Sequence, residues 1–186
     1  ISDFLHHVTI VPSWLERIWE EQYTGAPANR VKQYVRLSAL QPDDIAWFEQ
    51  RDDLVLTPEH YAEHGIARFL DISPELMMLL GFHLAEGSCS DRNGIRLTIG
   101  NRNKNILVEL KSALTKVFGL EPKSYEYDDR AGEIKIVNRI ASIAWQHVFG
   151  FLSVSSIKKK IPQCVFTVSQ PLQEAFLRGY FLGDGT

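Results

Sequence analysis

Apolar positions after residue 73 change period several times, and each change marks an element. A nearly continuous apolar run from Leu76 to Phe82 follows Ser73 and Pro74. Serine before proline is an N-cap followed by a first helical residue that needs no N–H partner, so a buried helix is predicted there. The pattern then drops to period two. Ser88-Cys89-Ser90 and Ile95-Arg96-Leu97-Thr98-Ile99 flank Asp91-Arg92-Asn93-Gly94, and Asn-Gly between alternating segments signals a hairpin. Ile95, Leu97 and Ile99 share one face, and Arg96 and Thr98 the other. From Asn101 to Phe118 the stripe Ile106, Leu107, Leu110, Leu114, Val117, Phe118 has helical spacing and Gly119 ends it. Tyr125-Glu126-Tyr127 and Glu133–Val137 form a second predicted hairpin about Asp128–Gly132. Arg139–Phe149 is a further predicted helix, carrying Ile140, Ile143, Ala144, Val148 and an amphipathic Trp145. A loop and another apolar helix close the chain. The order helix, hairpin, helix, hairpin, helix, then a last helix, predicts an α+β fold.

The preceding residues, 1–73, read as a mixed, partly β segment. Val8–Val11 is a candidate strand, and Pro12–Glu21 a short helix with Trp14, Leu15, Ile18 and Trp19 on one face. Val35 and Leu37 alternate with polar residues, Pro42-Asp43-Asp44 turns, and Ile45–Phe48 resumes, a strand–turn–strand pattern. Thr57-Pro58 begins a predicted capped helix that Gly65 ends. It holds His60-x-x-Glu63-His64, a spacing that suits zinc. Gly65 closes that helix directly after the second histidine, so the expectation is a solvated helix face, with a zinc protease as the competing reading.

One apolar pattern occurs twice. Leu79-Leu80-Gly81-Phe82-His83-Leu84-Ala85-Glu86-Gly87 returns 98 residues later as Leu177-Arg178-Gly179-Tyr180-Phe181-Leu182-Gly183-Asp184-Gly185. Each copy has two small residues four apart, Gly81/Ala85 and Gly179/Gly183, hence on one helix face. Glycine inside a helix costs about 1 kcal/mol against alanine, so two such faces call for a reason, and close backbone approach of two helices supplies one. If those faces pack together, Glu86 and Asp184 emerge side by side. Paired carboxylates bind hard divalent cations.

Composition changes this picture little. The chain of 186 residues is 45% hydrophobic, ordinary for a globular protein with a core. No apolar run is long enough for a membrane span, and no basic-then-apolar segment opens the chain. Cys89 and Cys164 are far apart, without metal-ligand spacing, and are expected as free thiols of a cytoplasmic protein. Charge is more informative. The net −3 divides into 6 Lys/Arg against 12 Asp/Glu over residues 1–73, 13 against 9 over 74–170, and 1 against 2 over 171–186. The basic excess thus follows the first motif, which permits phosphate contact.

The two nine-residue stretches resemble the paired motifs of the LAGLIDADG homing endonucleases, DNA-cutting proteins encoded within inteins and introns. Glu86 departs from the namesake motif, which has Asp, by one methylene. The resemblance implies the αββαββα half-domain of that family over residues 74–170, its four strands forming a saddle on DNA, and a second motif helix over 171–186. The strand pair around Val35 is similar to one in intein splicing domains, though any hairpin reads the same way. The resemblance implies Mg²⁺ held by Glu86 and Asp184, with the backbone carbonyls of Ala85 and Gly183 as further ligands, and Gly81 and Gly179 packing the helices. Lys159-Lys160-Ile161-Pro162 is similar to the Lys-x-Ile-Pro that carries an active-site lysine in the intein-encoded members. That role falls to Lys159, with Lys160 as the alternative, against the plain reading of a solvated basic loop.

Double-stranded DNA with a long asymmetric target is the implied partner. Its readers would come from Ser88, Ser90, Arg92, Asn93, Arg96, Thr98, Tyr125, Tyr127 and Lys135, of which arginine and asparagine suit base edges. The implied activity is Mg²⁺-dependent hydrolysis of both strands in intein homing. The alternative is a non-cleaving nucleic-acid-binding protein on the same scaffold. The sequence stops just after the second motif, and Ile1 and Thr186 supply no splicing junction. The expectation is a fragment that neither splices nor cuts alone and pairs with a missing C-terminal half of the same intein.

Overall fold

In the computed structural model, residues 3–6, 34–36, 42, 45–46, 50, 55–58, 65–90, 94–100, 104–127, 131–152 and 158–184 are described. Chain packing divides into two units, residues 1–68 and 69–186. In the first, β1 (Asp3–His6), β2 (Tyr34–Arg36), β3 (Val55–Pro58) and β4 (Ile66–Ala67) form a sheet of order β2-β1-β3-β4. All three pairings are antiparallel, with Leu5 opposite both Val35 and Leu56. Two expectations change here. Ile45 and Ala46 are helical rather than strand. Pro42 is helical as well, and the fixed φ of proline suits a helical residue. Thr57 and Pro58 belong to a strand, not a helix start, because Thr57 pairs with Phe4. Val8–Val11, the helix at Pro12–Glu21 and His60, Glu63 and His64 lie outside the described residues.

The second unit begins with α1 (Pro74–Glu86), started as predicted by Ser73, whose hydroxyl accepts from the Leu76 N–H at 3.2 Å. It runs straight into β5 (Gly87–Ser90), paired with β6 (Gly94–Ile99). Gly94 has φ +75°, and a Cβ there would collide with the Ile136 carbonyl, so the Asn-Gly signal has two physical reasons at its glycine. Next come α2 (Lys104–Phe118), β7 (Lys123–Tyr125) and β8 (Gly132–Ile136). The sheet order is β5-β6-β8-β7, antiparallel throughout. Its inward face, Cys89, Ile95, Leu97, Ile99, Ile134 and Ile136, is buried against the helices.

α3 (Arg139–Ile143) is shorter than predicted. It is capped by the Asn138 side chain and continues as a π-helical turn over Ala144–Val148, in which the Phe149 N–H reaches back to the Ala144 carbonyl. The wider turn swings Trp145 inward. Its ring is fully buried, packing on Phe118, Phe149 and Phe151, so it is core and not amphipathic. A 3₁₀ turn (Gln163–Phe166) leads into α4 (Gln170–Asp184). No helix among the described residues is long and apolar enough to cross a membrane. Cys89 is buried and Cys164 half-buried, and neither forms a disulfide.

Candidate functional site

α1 and α4 pack along one another through their glycines. A Cβ added at Gly81 would land on the Phe176 carbonyl oxygen and lie 2.8 Å from the Tyr180 nitrogen. One added at Gly179 would land on the Met78 carbonyl oxygen, 2.7 Å from its carbon. Met78 and Phe176 are themselves 98 residues apart, like Gly81 and Gly179. The two contacts are therefore one contact exchanged about a local two-fold axis between parallel helices. A third sits at the C-terminal end, where the Cβ position of Gly183 lies 2.7 Å from the Ala85 Cβ and 3.5 Å from the Glu86 Cγ. Small residues four apart thus let two backbones meet, which explains their place inside apolar helices.

This packing brings Glu86 and Asp184, the last residues of α1 and α4, to the same end of the pair, both exposed. Two parallel helix C-termini add their partial negative charges to the two carboxylates. The Tyr180 hydroxyl donates to Asp184 Oδ2 at 3.1 Å, and that bond to a carboxylate raises the phenol's pKa. Phe82, the counterpart of Tyr180, has no hydroxyl, so the two acids are not equivalent.

Lys159 reaches the same end from the loop before Pro162. Its ammonium donates to the carbonyls of His83 at 2.9 Å, Leu84 at 3.3 Å and Gly87 at 2.6 Å. One charged group thus caps the end of α1, adding a donor to the His83 carbonyl, which also accepts from the Gly87 N–H, and to the carbonyls of Leu84 and Gly87. Burial pushes the Lys159 pKa down and the nearby Glu86 opposes that shift. The Ala85 carbonyl is not among its acceptors. Lys160 is exposed. Removing the ammonium while keeping the stem, Lys159→Met, is expected to cost about 2 kcal/mol by taking that cap away from the helix terminus. The urea midpoint of unfolding, compared with Lys160→Met as a near-neutral control, measures it.

Hard oxygen donors at a shared negative helix end fit a divalent cation. Among the described residues no three His, Cys, Asp or Glu side chains converge, so a cation at this end would find only the two carboxylates and nearby backbone carbonyls as protein donors.

The outward face of the second sheet carries a row across all four strands. Ser88 pairs with Arg96, Arg96 with Lys135, and Lys135 with Lys123. The adjacent row is Thr98, Glu133 and Tyr125. The Arg96 Nε donates to the Ser88 hydroxyl at 2.9 Å, and the Lys135 ammonium lies 4.9 Å from the centre of the Tyr125 ring. Ser90, opposite Gly94, is half-buried. Tyr127 lies beyond the end of β7 but still reaches Glu133. Arg92 and Asn93 fall outside the described residues. Sequence reasoning missed Glu133 and Lys123 on this face. The signal for Glu133 was present, since it lies two residues before Lys135 on one strand.

No protein-family model matches the chain. It is similar to a DNA polymerase of Thermococcus hydrothermalis, 29% identical over 153 residues that make up 79% of this chain and 8% of that protein. It is also similar to the DNA polymerase II large subunit of Thermococcus kodakarensis, 30% identical over 122 residues, 65% of this chain and 6% of that one. An uncharacterized protein of Methanocaldococcus jannaschii is 32% identical over 98 residues, 52% of this chain and 12% of that protein. The chain spans 6 to 12% of the length of these relatives.

Proposed function

We propose that this chain is part of an intein-encoded, site-specific DNA endonuclease of the LAGLIDADG type. The observation that carries the reading is the two-fold exchange of Gly81 and Gly179 between two parallel helices that deliver Glu86 and Asp184 to one end. The short match to much longer DNA polymerase chains supports it, because an intein is a segment inserted within a host polypeptide.

Glu86 and Asp184 would hold Mg²⁺, with the Ala85 and Gly183 carbonyls completing its protein ligands. Bound there, the ion would supply Lewis-acid stabilisation of a phosphate and lower the pKa of a coordinated water. Lys159 holds the end of α1, and with it the backbone of Glu86, in place. Its positive charge also offsets part of the repulsion that two helix ends and two acids present to a phosphate. The outward sheet face beside this end would lie along duplex DNA, with Arg96, Lys123 and Lys135 meeting phosphates or base edges.

α4 also argues for a second layer like the first. Leu79 and His83 on α1 are 0% and 1% exposed, whereas their counterparts on α4, Leu177 and Phe181, are 49% and 62% exposed. A second half-domain of like architecture is the proposed cover, and cutting both strands is the proposed activity of the pair.

The test is selection of bound duplexes from a random-sequence library by the 186-residue chain. Enrichment of one extended sequence is expected, and none at all overturns the DNA reading. Strand cleavage of the enriched duplex in Mg²⁺ that Glu86→Gln abolishes supports the nuclease. Cleavage unchanged by that substitution removes Glu86 from the site. Binding without cleavage, even when the α4 face is complemented by a matching half-domain, favours a non-cleaving nucleic-acid-binding protein.

A further inference from the structure

Glu133 sits at the centre of the outward sheet face and gathers three of the groups proposed to read DNA. Its carboxylate accepts from the Lys135 ammonium at 2.7 Å and from the Tyr127 hydroxyl at 3.2 Å, and lies 3.6 Å from Arg96 Nη1. Its side chain is 16% exposed, against 23% for Lys135 and 46% for Arg96. The acid is thus more enclosed than the cations around it. Those contacts, the Lys135 hydrogen bond first, hold its pKa below the usual carboxylate range. It stays ionised wherever the protein is folded at neutral pH.

The arrangement has two physical consequences. One carboxylate already neutralises part of two cations, so a phosphate arriving from any sequence must compete with it. This weakens the part of DNA binding that is blind to sequence. Arg96 is also held by a hydrogen bond from its Nε to Ser88 and drawn by the Glu133 carboxylate 3.6 Å from its Nη1. A guanidinium so placed has less rotamer freedom to lose when DNA arrives. We infer that Glu133 is a specificity-determining positioning residue, which suppresses sequence-blind capture of phosphate and aims Arg96 at a base edge. This rests on the DNA-binding reading of the sheet face.

The test compares wild type, Glu133→Gln and Glu121→Gln binding to a random-sequence duplex by fluorescence anisotropy from 200 down to 50 mM salt. Glu121 pairs with Lys111, away from this face, so Glu121→Gln removes the same charge elsewhere. Each cation released to phosphate steepens the salt slope by about 0.9, or about 3-fold more affinity gained over that fourfold dilution, and two give about 10-fold. A gain of this size in Glu133→Gln alone is expected. With a duplex that wild type prefers, Glu133→Gln should also lose preference over random DNA by about 10-fold. Glu133→Thr, which suits a strand, gives the same readout if the glutamine variant folds poorly. Parallel slopes for Glu133→Gln and wild type, or an equal gain in Glu121→Gln, overturn the inference while leaving DNA binding intact. Absence of duplex binding in all three proteins removes the DNA reading and this inference together.

Discussion

Gly179→Leu is expected to abolish the folded second unit, with no cooperative melt above room temperature. The added Cβ alone would occupy the position of the Met78 carbonyl oxygen, and the rest of the side chain would follow it between α1 and α4. α1 cannot move to make room, and α4, whose outer face is exposed, could shift only by giving up its contacts with α1. α1 is buried from Leu76 to His83 against the sheet and α2, and Arg178 next door is clamped to Glu109 of α2 by two hydrogen bonds of 2.5 and 2.8 Å. Overpacking a core commonly costs 1–3 kcal/mol where side chains give way. Here the obstacle is backbone, so a loss of 4 kcal/mol or more is expected, comparable to the whole stability of a small domain. Gly81→Leu meets Phe176 in the same way and should match it, because the contacts are related by symmetry. Gly119→Ala tests whether the effect belongs to the interface. It has open space around its Cβ position and only its φ of +67° to overcome, so a loss of about 1 kcal/mol is expected. Thermal melts followed by circular dichroism distinguish the three. A Gly179→Leu melt within a few degrees of wild type would show that α1 and α4 do not depend on this approach.

That symmetry was legible before any coordinates, because small residues four apart have few reasons to recur inside apolar helices. So were the first hairpin and the helix stripe through Leu110 and Leu114, whereas the first strand of the second hairpin runs over Lys123–Tyr125 rather than Tyr125–Tyr127. Legibility failed where a residue's partner lies far along the chain. Ile45 and Ala46 read as strand from alternation alone, yet alternation over so few residues has no power against a local turn. Trp145 was assigned to a helix flank because its neighbours have helical spacing. The π-helical turn that rotates it into the core depends on Phe149 and Phe151 packing behind it. Lys159 was selected for its place before Ile161-Pro162, but its bonds to three carbonyls at the end of α1 span more than 70 residues. In the sequence Glu133 is only the first residue of a predicted strand. Its weight comes from strand register, which sets it beside Arg96 and Lys135 together.

His83 is the residue whose role was least visible, and it carries the second large effect. Nothing in the sequence singles it out within the motif, yet it is 1% exposed and packs on Phe151 and Trp145. Its Nδ1 has no hydrogen-bond partner. Gly87 makes the space, since a Cβ there would strike the imidazole. Burial first, and then the Lys159 charge, push the His83 pKa from 6.5 down to about 3. The folded protein therefore holds a neutral imidazole wherever the unfolded chain holds a cation below pH 6.5. The unfolded state binds the extra proton, so stability is fully present above pH 6.5 and is lost as pH falls towards 3. At about 1.4 kcal/mol per pH unit, the loss is about 2 kcal/mol between pH 7 and 5 and about 3 kcal/mol by pH 4. Acidic groups titrate in the same range, so the quantity to measure is the difference in urea unfolding free energy between wild type and His83→Leu. Chelator in the buffer keeps divalent ions out of the comparison. At pH 8 both states hold a neutral imidazole, and the gap to His83→Leu is set by the packing lost less the relief of the unpartnered Nδ1. The gap should move by about 2 kcal/mol in favour of His83→Leu on acidification to pH 5. A gap that stays constant from pH 8 to pH 4 would mean that the imidazole is protonated in the folded state, and that water reaches the aromatic cluster between α1 and the π-helical turn.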